Sequence, residues 1–170
     1  RFPKLYRATH ASIVELSDRW AAIQQENLAA HKNVEWLRQS AIEDPLPEIE
    51  GVFLSNELPD AFPVHLVIID QNDCLGEAWV KSDIWVPGII EFSQDWYALH
   101  DKDPSVEEII EALTLANKPL PKEVPIVVNL NAIRWMENIT HHLKRGFHVV
   151  FDYGFTGESY PKGNNLFTMQ

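Results

Sequence analysis

Apolar and polar positions fall into blocks along the chain, and the blocks predict strands and helices in turn. Ala11-Ser-Ile-Val-Glu15 reads as a short buried strand that ends in a carboxylate. Asp18 to Lys32 is rich in Ala, Gln and Glu and predicts a helix, with Ser17 placed to cap it and Asp18 in its first turn. Trp20, Ile23 and Leu28 can share one face of it, and Asn33 ends it. Val34-Glu-Trp-Leu37 predicts a second strand, and Glu43 to Glu50, with Pro45 and Pro47, a loop. Val52 to Leu54 is an apolar run suited to a third strand, buried on both faces. Residues 1–10 show no pattern. Strand, helix, strand, loop, strand points to parallel pairing with right-handed crossovers.

The second half carries weaker and stronger signals. His65 to Asp70 is extended, Gln71-Asn72-Asp73 is a turn cluster, and Glu77-Ala-Trp-Val80 can return antiparallel. Residues 81–104 read as irregular and aromatic, with Trp85, Trp96 and Tyr97 either packing an insertion or lining a substrate entrance. Ser105 and Glu108 form a capping box before the stripe Val106, Ile109, Ile110 and Leu113. Asn117 to Pro125 is a connector, and Ile126-Val-Val128 a short strand. A helix capped by Asn129 or Asn131 is expected to run to about Arg145, burying Ala132, Met136, Ile139 and Leu143, with Lys144-Arg145-Gly146 as its stop. Phe147 to Phe155 then predicts a strand that ends at Asp152, and residues 156–170 a loop. The expected architecture is one α/β domain interrupted by an insertion at 66–125.

Composition narrows the function. A net charge of −11 argues against a nucleic-acid-binding surface, which needs clustered Lys and Arg. No apolar run reaches transmembrane length. One cysteine, Cys74, allows neither an intrachain disulfide nor a cysteine-based zinc site. His141 and His142 are adjacent and would point about 100° apart on a helix, and the other histidines lack ligand spacing, so no metal site is expected. No Gly-x-Gly-x-x-Gly, Walker A or Gly-x-Ser-x-Gly sequence is present.

The remaining chemistry lies at strand ends. Glu15, the group Asn56, Glu57 and Asp60, and Asp152 all follow predicted strands, the place where open α/β sheets gather their functional groups. An acid after an early strand suits a ribose diol, and several acids on one rim suit a cationic ligand. Each of these residues is also an ordinary cap or turn former.

Several of these stretches occur together in a known order. Ile13-Val-Glu-Leu-Ser17, Gln24 to Leu28, Ser55-Asn-Glu-Leu-Pro-Asp-Ala-Phe-Pro-Val-His65, Asn129-Leu-Asn-Ala-Ile-Arg-Trp135, Arg145-Gly146 and Asp152-Tyr-Gly-Phe155 make a series that resembles the MidA-type S-adenosylmethionine-dependent methyltransferases. That family includes the mitochondrial methyltransferase needed for complex I assembly. The resemblance implies a Rossmann-like class I methyltransferase sheet with an inserted segment. It implies S-adenosylmethionine as cofactor, held by Glu15, Ser17 and Asn56. It also implies methylation of a protein arginine, with Asn56, Glu57 and Asp60 near the acceptor and Asp152 and Tyr153 on the substrate side.

The same resemblance places a first strand and glycine-rich loop before Arg1 and further chain after Gln170, so a partial domain, incomplete at both ends, is expected. Pro59 stands where the family usually has an aliphatic residue, and Val127 close to where it has an acid. A protein substrate, a homo-oligomer, and a cytoplasmic (bacterial) or mitochondrial-matrix (eukaryotic) setting are compatible with it. The other readings are a different nucleotide-dependent enzyme on a Rossmann-type fold and a non-catalytic assembly or scaffold protein.

Overall fold

A computed structural model describes residues 2–86, 89–99, 105–115 and 120–153, with backbone alone at 83–86, 89–91 and 115. Expectations for 100–104, 116–119 and 154–170 lie outside the described residues. The chain divides into two compact units, Arg1–Leu54 with Arg134–Val149, and Ser55–Ile133 with Val150–Gln170. No helix among the described residues is long and apolar enough to cross a membrane.

In the first unit, α1 (Pro3–Ala8) begins with a proline in its first turn, where the missing N–H costs nothing. The patternless start of the chain thus holds a helix. Strand β1 (Ala11–Val14) pairs in parallel with β2 (Val34–Leu37), Ala11 against Val34 through Val14 against Leu37. The crossover between them is α2 (Asp18–Asn27), capped by Ser17 as its sequence predicts. It stops five residues short of Lys32. His31 is held instead by a 2.8 Å hydrogen bond from the Tyr6 hydroxyl and an edge-on contact with its ring. Only Ala21 of α2 is buried, and Trp20 and Ile23 stay exposed.

Strand β3 (Ile49–Asn56) starts inside the expected loop and alternates half-buried with exposed positions. Its partner among the described strands is β8 (Leu143–Phe151). The contacts Glu48–Lys144 and Gly51–Gly146 advance together, so the two run parallel. Val52 (55%) and Leu54 (69%) lie on the exposed face of β3, which corrects the expectation of a strand buried on both faces.

Helix α4 (Leu130–His142) ends three residues before the expected Arg145, and Lys144, Arg145 and Gly146 belong to β8. Gly146 has φ +141°, and a Cβ there would overlap the Gly51 carbonyl oxygen and lie 2.8 Å from its carbonyl carbon. Its glycine is required by close strand approach rather than by a helix stop. The buried face of α4 in this unit is Trp135 and Ile139, whereas Met136 is exposed. Asn138 Nδ2 donates to the carbonyls of Ala41 at 3.0 Å and Asp44 at 2.9 Å, which holds the loop before β3.

The second unit centres on an antiparallel sheet ordered β6-β5-β4-β7. Its strands are β4 (His65–Ile69), β5 (Leu75–Val86), β6 (Ile89–Ala98) and β7 (Ile126–Val128). The stretch expected to be irregular is therefore mostly a long hairpin. Its even positions pair Ala78 with Trp96, Val80 with Gln94 and Ser82 with Phe92. Asp70 closes the β4–β5 turn, its Oδ1 accepting the N–H groups of Asn72 and Cys74, each at 2.8 Å.

Helix α3 (Val106–Leu115) covers the sheet. Val67, Ile109, Leu113, Ile126, Val128 and Leu130 form one buried cluster. Complete burial of Ile109 and Val67 contributes about 1.5–3 kcal/mol each. Ile110, the fourth member of the expected stripe, is exposed.

Candidate functional site

Within the first unit, Glu15 follows β1 and its N–H donates to the Leu37 carbonyl at 3.1 Å, extending the parallel pairing by one residue. Its carboxylate is half-buried and doubly engaged. Oε1 accepts the Ser17 N–H at 2.7 Å, and Oε2 accepts Gln24 Nε2 at 3.2 Å. Gln24 is oriented in turn by Trp36 Nε1, which donates to its Oε1 at 3.1 Å. Ser17 Oγ accepts the Trp20 N–H at 3.4 Å, so its O–H hydrogen is left to donate elsewhere. An ionised carboxylate offers about four lone-pair sites. Two remain on Glu15 for hydroxyl donors, which is the chemistry a ribose diol needs.

Within the second unit, the stretch from Ser55 to His65 turns sharply after β3. Asn56 is exposed at the strand end. Glu57 adopts φ +49°, a left-handed conformation that costs a non-glycine residue about 1–2 kcal/mol. The conformation is held by its N–H, which donates to the Phe151 carbonyl at 2.7 Å. Pro59 opens a 3-10 turn over Pro59–Ala61 and suits its first position, so the departure from the resembled pattern is accommodated locally.

Two asparagines around the start of α4 grip this turn. Asn129 Nδ2 donates to the Pro59 carbonyl at 2.8 Å while its Oδ1 caps α4 by accepting the Ala132 N–H at 2.9 Å. Asn131 Nδ2 donates to the Pro63 carbonyl at 3.1 Å. The sequence shows these asparagines only as alternative helix caps. Nothing local announces that their amides reach back some seventy residues.

The acids of this unit meet at the end of β8. The Tyr153 hydroxyl donates to Asp60 Oδ2, and the Tyr153 N–H donates to Asp152 Oδ1 at 2.8 Å. The Asp60 hydrogen bond, then desolvation, then the negative charges of Asp60, Glu57 and Asp152 hold the Tyr153 phenol above its usual pKa. Glu57, Asp60, Asp152 and Tyr153 are thus one electrostatic neighbourhood, and Glu15 with Ser17 is another, each inside its own unit. All four residues of the former neighbourhood are exposed. That arrangement can bind a planar or compact cation and hold a proton on Tyr153 at neutral pH.

Residues 1–169 match the family described as "Putative S-adenosyl-L-methionine-dependent methyltransferase". Among solved structures, the chain is similar to a "likely methyl transferase" from Burkholderia thailandensis, crystallised with S-adenosyl-homocysteine. The two share 27% identity with a TM-score of 0.59, over 86% of this chain and 35% of that one. The chain therefore spans about a third of that relative's length. The likeness shows the α/β fold expected from the sequence, a Rossmann-like methyltransferase sheet. None of the curated proteins matches the chain.

Proposed function

Because the chain belongs to the family of putative S-adenosyl-L-methionine-dependent methyltransferases, we propose that the protein carrying it methylates nitrogen, with a protein arginine as acceptor in the manner of the MidA-type enzymes it resembles. The observation that carries the acceptor side is the gathering of Glu57, Asp60 and Asp152 around Tyr153.

A guanidinium keeps its charge at pKa above about 12 and presents five donors in a plane. Asp60, held by the Tyr153 hydroxyl, would take one edge of that plane in charge-assisted hydrogen bonds. Glu57, aimed by its strained backbone, would take a second edge. The two edges together span all three nitrogens, so the carboxylates fix the guanidinium plane, and Glu57, accepting an N–H of the attacking terminal nitrogen, raises the electron density there. A nitrogen–carbon bond forms as the sulfur–carbon bond breaks, and the displaced proton passes to Glu57 and on to water. Most of the acceleration asked of these residues is orientation of the acceptor.

On the donor side, Glu15 would accept the ribose hydroxyls through its two remaining lone-pair sites, with the Ser17 hydroxyl contributing a further polar contact. The cofactor supplies an electrophilic methyl on a sulfonium, which leaves as a neutral thioether. Gln24 and Trp36 hold the Glu15 carboxylate in one orientation, so the diol meets a preorganised acceptor pair.

Calorimetric titration of the full-length protein with S-adenosylmethionine tests the donor side, and absence of binding sinks the methyltransferase reading. For the acceptor side, Glu57→Gln should abolish methylarginine formation in a protein mixture while leaving cofactor affinity within about twofold. Turnover that survives this change refutes the assignment of Glu57.

A further inference from the structure

The hairpin of β5 and β6 reaches well past the sheet that anchors it. Strand β4 pairs with β5 only from Leu75 to Glu77, so positions 78–86 are flanked by β6 alone among the described residues. Strand β6 is the last in the sheet order, with no described strand on its outer side. A two-stranded hairpin is marginal in water, and a long apolar edge invites another strand. Here Val80 (69% exposed), Phe92 (72%) and Trp96 (41%) share one face of the hairpin.

The ladder also shows which backbone groups face outward. Leu99 N–H donates to the Leu75 carbonyl at 2.9 Å, one step beyond the pair Gly76–Ala98. Alternation then turns the backbone groups of Tyr97, Asp95 and Ser93 toward β5, and those of Trp96, Gln94 and Phe92 to the open edge.

We propose that β6 pairs antiparallel with β6 of a second copy of this chain, about a two-fold axis at Gln94. Outward groups meet only where even positions oppose even positions, which restricts the symmetric registers to those centred on a residue. Centring on Asp95 sets that aspartate against itself, and centring on Ser93 sets it against the position of Glu91. Like charges directly opposite are unfavourable.

Centring on Gln94 removes both conflicts. Phe92 then faces the partner's Trp96, giving two aromatic cross-strand pairs. Ser93 faces the partner's Asp95, a hydroxyl donor against a carboxylate whose charge Lys81 balances at 2.7 Å within its own copy. The paired outward groups of Phe92, Gln94 and Trp96 make about six backbone hydrogen bonds, and two marginal hairpins become one four-stranded ribbon.

The register can be read by single cysteines in the full chain, with the exposed Cys74 replaced by serine. Gln94→Cys places two Cα atoms about 5.5 Å apart, within the roughly 4.4–6.8 Å a disulfide spans. Phe92→Cys or Trp96→Cys alone would leave them about 14 Å apart. Mild oxidation should therefore crosslink Gln94→Cys with itself, and Phe92→Cys only with Trp96→Cys.

In sedimentation velocity, Ser93→Asp should weaken the dimer roughly tenfold by setting like charges opposite twice. Adding Asp95→Ser should restore it, because each aspartate then faces a serine. A monomeric wild-type chain, or crosslinking as efficient at position 92 alone as at 94, overturns the proposal.

Discussion

Replacing Asn129 by alanine removes two hydrogen bonds with one side chain, and the structure allows their contributions to be separated. The Oδ1 cap on the Ala132 N–H is worth about 1 kcal/mol. The Nδ2 bond to the Pro59 carbonyl contributes about another 1 kcal/mol. Asn129→Ala should therefore destabilise by about 2 kcal/mol, a fall of about 4–8 °C in Tm for a domain of this size. Asn129→Asp retains the cap acceptor, favourably charged at a helix start, and loses only the donor. It should cost about half as much.

Differential scanning calorimetry and urea titration measure both losses. Amide exchange adds a local reading, because the Ala61 and Phe62 N–H groups are tied within the turn at 3.2 and 3.3 Å. A loosened turn should exchange them about five- to tenfold faster. If the alanine variant lies within about 0.5 kcal/mol of wild type, or the two variants are equally stable, Asn129 is not the tether described.

Two further perturbations probe the first unit. Gly146→Ala should cost at least about 3 kcal/mol through backbone overlap with Gly51, whereas Gly51→Ala, whose Cβ would meet only Ile49 Cδ1 at 4.0 Å, should change stability by less than about 1 kcal/mol; urea midpoints of the two variants decide it. His148 packs edge-on against Trp135 with ring centroids 4.9 Å apart, its Nε2 is buried without a partner, and burial lowers its pKa. The neutral ring is favoured on folding, so its contribution is present above the unfolded value of 6.5 and is lost as pH falls through the lower folded one. His148→Phe should flatten the decline of the urea midpoint between about pH 6.5 and 5, and an unchanged slope would remove His148 from that account.

Short elements bounded by breakers were readable from the chain alone. The pairs β1–β2 and β4–β5, strand β7, the Ser17 cap and the core positions Val106, Ile109 and Leu113 follow from local pattern. The errors came from demands set at a distance. Gly146 looks like a helix stop because cations precede it, yet its glycine is required by Gly51. On α4 the expected Ile139 is buried, but its neighbour one turn earlier on that face is Trp135, at i−4, rather than the expected Met136, at i−3. The alternating stretch around Val80 and Phe92 has strand period, but its aromatic residues suggested an irregular insertion.

The candidate site divides in the same way. Glu15 and Asp60 were visible as acids following strands. Their partners were not, because Gln24 reaches Glu15 across a helix and Tyr153 reaches Asp60 across 93 positions.

The parallel pairing of β3 with β8 has a consequence for how the chain acquires its shape. Gly51 and Gly146 meet although some 95 residues separate them, whereas the β5–β6 hairpin closes on near neighbours. Hairpins form in about 1–10 μs, while a ribosome adds about 5–20 residues per second. During synthesis β3 therefore waits about 5–20 s for its partner to be made. Through that interval its ladder N–H and C=O groups are open to nascent-chain binders or to misplaced strands. The turn carrying Glu57 and Asp60 is completed only when the last described strand arrives, because the Glu57 N–H bonds to the Phe151 carbonyl.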